Sequence, residues 1–84
     1  MQELYKMIED TISAAGYNGP VSGEEIYNEI CDGIEGKENG VYIFMTKKED
    51  DTIFEYNVQI FDEEFNLSTL TILKGEEKFV VNFD

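Results

Sequence analysis

Carboxylates are the groups in this chain with the most chemistry to offer. There are 19 acids against six lysines, with no arginine and no histidine. They gather in the segment 24–35, which holds Glu24, Glu25, Glu29, Asp32 and Glu35, in "EDD" at 49–51 and in "DEE" at 62–64. Two carboxylates can run glycoside hydrolysis, and oxygen clusters can hold Ca²⁺. Neither use is specified here. With so many acids some pair always lies at a plausible separation, and neither tripeptide has the alternating spacing and glycine of a calcium loop. Adjacent residues of a strand point apart, so a tripeptide does not wrap one ion. Weak divalent binding is left open only where Glu49, Asp50, Asp51, Glu76 and Glu77 would gather at one end of a sheet. The expectation is no metal centre and no cofactor.

Other catalytic constellations fail on residue type. Without histidine the commonest general base near neutral pH is missing. No Cys–His or Ser–His pair can be assembled. The single cysteine, Cys31, falls among Ile26, Tyr27, Ile30 and Ile34, where it reads as a small buried hydrophobe. The glycines of "GIEGKENG" at 33–40 match neither phosphate-binding pattern. We therefore expect a protein that is not an enzyme.

The formal charge of −13 bears on partners. It repels DNA, RNA and anionic lipid, so neither direct nucleic-acid binding nor membrane association is expected. Two helices leading into hairpins also occur in some winged-helix modules. Here the groove-facing helix would carry Glu25, Glu29 and Asp32 toward phosphates, which is the wrong sign. No apolar run approaches the ~18 residues of a membrane span. "MQELYKMIED" lacks the features of a signal peptide, so a cytoplasmic protein is expected, and Met1 suggests a whole protein.

The elements that must position these groups read clearly. At 84 residues the chain is one small domain, 1–84. Leu4, Ile8, Ile12 and Ala15 recur at helical spacing before Gly16, giving a first amphipathic helix. "YNGP" turns the chain at 17–20. Ser22 and Glu25 form a capping box for a second helix, striped by Ile26, Ile30 and Ile34 and ending near Gly36. The period then changes to two, predicting strands at about 41–47, 52–61, 67–74 and 78–83. Short connections make them antiparallel neighbours. The predicted fold is α+β: two N-terminal helices packed on one face of a four-stranded antiparallel β-meander, ααββββ.

Even connections in the first and third hairpins set Met45 opposite Phe54, Ile43 opposite Tyr56 and Leu70 opposite Val81. The middle connection must then be odd, for which Glu63-Glu64-Phe65 would serve. One face collects Val41, Ile43, Met45, Phe54, Tyr56, Val58, Ile60, Leu70, Ile72, Phe79, Val81 and Phe83, and is expected under the helices. The other carries Tyr42, Phe44, Ile53, Phe61, Leu67, Leu73 and Val80.

Two functions follow. The first is a non-catalytic acidic interaction module that occupies a basic protein surface as a nucleic-acid mimic or inhibitor. In size and charge, though in no motif, the chain resembles small acidic DNA-mimic inhibitors. The expected contact residues are Glu25, Glu29, Asp32 and Glu35 on the second helix, with Asp50, Asp51, Glu63, Glu64 and Phe65 at the turns. The alternative is a structural homodimerisation or assembly domain that uses the second face of the sheet and takes no specific ligand.

Overall fold

The computed structural model describes residues 2–62 and 64–83. Helix α1 spans Gln2–Ala14 and α2 spans Gly23–Ile34; strands β1 (Gly40–Lys47), β2 (Ile53–Phe61), β3 (Glu64–Lys74) and β4 (Glu77–Asn82) follow. The strands pair antiparallel in chain order, so the predicted meander is present. Among the described residues no helix is long and apolar enough to cross a membrane.

Both helices bury the stripes their spacing predicts. Ile8 and Ile12 of α1, with Ile26 and Ile30 of α2, close over Phe54, Tyr56, Val58, Leu70, Ile72 and Val81 of the sheet. Tyr17 from the interhelical turn is also buried, its ring edge-on to Phe54 and Phe79. Removing this apolar surface from water is the main force holding the two layers together.

The register of β1 differs from the expectation, and the difference reverses its faces. Phe44 stands opposite Tyr56 and Thr46 opposite Phe54, whereas Met45 pairs with Glu55 and Ile43 with Asn57. Val41, Ile43 and Met45 are therefore exposed, at 64%, 61% and 64%. Tyr42 and Phe44, assigned to the other face, turn toward the helices. The cause lies in the connection. Lys47 pairs with Ile53, which leaves 48–52, five residues where four were expected. Asp51 absorbs the extra residue in a left-handed conformation (φ 67°), and the Lys48 amide closes the loop by donating to the Thr52 carbonyl at 2.7 Å. A shift of one residue moves every side chain of a strand to the opposite face. The observed register seats the Phe44 ring 5.3 Å from that of Tyr56. A Cβ on Gly33 would overlap the Phe44 ring, so the glycine of α2 makes room for it.

The middle hairpin meets its parity requirement by another route. Phe61 pairs with Glu64, so β3 resumes sooner than Glu63-Glu64-Phe65 would allow; Glu63 lies outside the described residues. The odd residue is instead a bulge. Asn57 pairs with Thr69 but Val58 with Leu67, leaving Ser68 between them. The Ser68 carbonyl accepts from the Phe83 amide at 3.0 Å. The bulge turns Leu67 into the core, where it is buried, against its expected place on the open face. The third hairpin keeps the expected pairing of Leu70 with Val81.

Candidate functional site

The start of α2 is held from three directions. Ser22 is extended, and its hydroxyl accepts from the Glu25 amide at 3.3 Å. Glu9 of α1 reaches across, its carboxylate accepting from the Gly23 amide at 2.8 Å. A Cβ at Gly23 would overlap the backbone of Tyr5, so the absence of a side chain lets the helices approach this closely. An acid facing the first turn also meets the positive end of the helix dipole. Only half of the predicted capping box forms, because the Glu25 carboxylate turns to Lys48 rather than back to the Ser22 amide.

Lys48 is the centre of a polar cluster between α2 and the sheet. Its ammonium pairs with Glu25 at 3.3 Å and with Glu29, and lies 4.7 Å above the Phe54 ring. Glu29 accepts a second hydrogen bond from the Tyr56 hydroxyl at 2.5 Å. The Lys48 and Glu29 side chains are only 18% and 19% exposed, so this pair is better shielded from solvent than an ordinary surface ion pair. Burial, reinforced by the hydrogen bond the phenol donates to the Glu29 carboxylate, pushes the Tyr56 phenol above its ordinary range. Tyr56 thus stays protonated as a donor, and the cluster ties α2 to β2 and to the first hairpin.

A groove of about 610 Å³ runs beside this cluster, between the start of α2 and the 48–52 connection. Glu25, Glu29 and Asp50 line it together with Lys48. Asp50 accepts from the Thr52 amide at 3.2 Å, and hydrogen bonding by Thr52 lowers its carboxyl pKa. Asp51 is exposed and pairs with Lys47 at 3.4 Å.

Of the remaining predicted contact residues, Asp32 and Glu35 are exposed along and just beyond α2. Glu64 is exposed at the start of β3. Phe65 is half-buried, its ring 5.4 Å from that of Tyr27. Glu64 and Phe65 border a separate hollow of about 360 Å³ with Gln59, Phe61 and Asn66, at a distance from the Lys48 groove in the sheet. Glu63 lies outside the described residues. Cys31 is free and half-buried. Among the described residues no three Asp, Glu or Cys side chains come together in a way that could hold a metal ion.

The chain matches no protein-family model, no curated protein and no solved structure.

Three members of this region, Lys48, Tyr56 and Glu9, are not among the site residues the sequence points to. Lys48 falls in the short connection between the strands predicted at about 41–47 and 52–61, where nothing in the connection itself marks it as a partner of α2. Its signal was the alternation Tyr42, Phe44, Thr46, which continues to Lys48 on the helix-facing side once the register is right. Tyr56 was placed correctly in the core, but nothing local indicates that its hydroxyl needs an acceptor from α2. The Glu9 contact spans 14 residues and has no local signature.

Proposed function

We propose that this protein is a non-catalytic acidic interaction module that presents the α2 side of the molecule to a basic protein surface. The observation that carries this reading is where the charge lies. On the open face of the sheet the described strand residues include two lysines, Lys47 and Lys78, and two acids, Glu55 and Glu64; even with Asp51, the exposed partner of Lys47, that face is close to neutral in a chain of −13. The surplus lies elsewhere, and part of it, Glu24, Glu25, Asp32 and Glu35, is exposed along and just beyond α2. A surface of that sign steers a basic partner inward and repels nucleic acid. Glu29, held by Lys48 and Tyr56, serves as the anchor that fixes α2 rather than as a free contact.

The test is a calorimetric titration with a lysine- and arginine-rich peptide at ~0.05 M and ~0.5 M salt, where the Debye length falls from ~14 Å to below ~5 Å. Binding is expected at low salt and lost at high salt. Reversing Glu24, Asp32 and Glu35 to lysine should weaken it at least ~10-fold, whereas the same number of reversals at Glu3, Asp10 and Glu38 should change it much less. Equal effects from the two sets would mean that the acids serve only as a solvating coat, and would refute the reading.

A further inference from the structure

The open face of the sheet shows a second surface, distinct from the acidic one. Val41, Ile43 and Met45 form an exposed apolar stripe along the edge strand β1, with Phe61 and Val80 also exposed at 65% and 50% on the same side. Neither helix contacts this side: every buried residue of β2 and β4 alternates away from it. We propose that this face docks against the same face of a second copy of the chain, in a two-fold dimer packed sheet on sheet.

Three observations select a second copy. The first is charge. Two bodies of −13 repel at long range wherever they meet, but contact through this near-neutral face adds the least like-charge juxtaposition, whereas contact through the helical side would add the most. A basic partner finds little net complementary charge here, since Glu55 and Glu64 are offset by Lys47 and Lys78.

The second is self-complementarity. Ile43, Asn57, Thr69 and Asn82 lie in one row across the four strands. A two-fold axis along that row, perpendicular to the strands, reverses each strand over its copy. It lays Val41 on Met45 of the second copy and Ile43 on itself. It also carries the end of the face that holds Lys47 and Lys78 over the end that holds Glu64. A two-fold axis along the strands would instead set Lys47 against Lys78. The Lys47–Asp51 pair is largely solvent-exposed, at 69% and 85%, and such a pair holds Lys47 only weakly.

The third is area. Four strands ~4.8 Å apart, each about eight residues long at ~3.4 Å per residue, give a footprint of roughly 500 Å² per copy. The pair removes roughly 1,000 Å², the lower bound for a specific interface, so the dimer is a weak one governed by concentration. Pairing the β1 edges side by side would leave the stripe facing water. Face-to-face packing buries it, which the hydrophobic effect favours.

Light scattering coupled to size exclusion, from micromolar to millimolar loading at ~0.05 M and ~0.5 M salt, tests this. The mass should rise from 9.7 kDa toward twice that value with concentration. The dissociation constant should tighten ~10-fold at high salt as the repulsion is screened. Thr69→Glu sets like charges against each other on the axis, far from the β1 edge, and should leave a monomer at every concentration. Ile43→Lys, at a position exposed in the monomer, should do the same with a melting temperature unchanged from that of the dilute, monomeric wild type, which guards against misfolding of the first variant. A wild-type mass that stays at 9.7 kDa throughout would overturn the proposal. So would a dimer that survives either substitution in a folded variant. Basic-peptide binding weakens with salt and dimerisation strengthens, so the two proposals fail separately.

Discussion

The two faces of one sheet are built from the same strands and follow opposite rules. Under the helices, Tyr56, Val58, Leu70, Ile72 and Val81 have no exposed surface, and the spaces between them are filled by rings and branched chains. On the open side, Val41, Ile43 and Met45 stand in water beside Glu55, Asn57 and Gln59. Apolar character alone does not tell the faces apart, since both carry it on β1. What separates them is the five-residue connection at 48–52, which decides whether Phe44 or Ile43 points at the core. The larger aromatic goes inside, over Gly33, and the aliphatic stripe is left outside.

The largest test of this contrast is Ile30→Ala. Ile30 is 1% exposed at the centre of the covered face, and its truncation should cost ~2–5 kcal/mol by urea denaturation, a large share of the stability of so small a domain. A cost below ~1 kcal/mol would mean that α2 is not packed as described. Gly23→Ala comes next. The added methyl meets the Tyr5 backbone, and prying α1 from α2 should cost ~1–3 kcal/mol, read in the same way.

Tyr56→Phe keeps the ring in the covered face and removes only its bond to Glu29, a loss of ~1–2 kcal/mol at neutral pH. Its pH dependence has a definite sign. The unfolded phenol ionises near ~10, while the folded one is held protonated above that range, so unfolding releases a proton at alkaline pH. The stabilisation is fully present below pH ~10 and is lost as pH rises beyond it. Denaturation midpoints of the wild type and the phenylalanine variant should therefore converge above pH ~10, and a constant gap would show that the phenol is not held in its protonated form.

How much of this was legible in the sequence depends on the range of the cause. Both helices, their stripes and the Ser22 cap rest on neighbours within a few residues, and all are found. The meander follows from short connections. The inward face of β1 was misread because strand parity depends on a single residue in a turn, and "KEDDT" does not announce that Asp51 will adopt positive φ. Leu67 was misplaced for a related reason, since a bulge at Ser68 leaves no mark on the local alternation. The cluster around Lys48 joins residues 19, 23 and 27 positions apart and becomes visible only once the register is known.

Smaller effects sharpen the contrast. Ser22→Ala should cost ~1 kcal/mol through the lost cap, seen as a lower melting temperature, and no change would place the start of α2 elsewhere. Ile43→Ala should change monomer stability by less than ~0.5 kcal/mol, the counterpart of Ile30→Ala on the open side.

The most direct measurement is thiol labelling of Ile43→Cys and Phe44→Cys, each in a Cys31→Ser background at sub-micromolar concentration so that any dimer is dissociated. The account predicts that the cysteine at 43 reacts at nearly the rate of an unstructured peptide, while that at 44, one residue along the same strand, is protected until the domain opens. Protection at 43 with free reaction at 44 would put β1 in the other register. The open face, and the docking surface proposed on it, would then lose its apolar stripe.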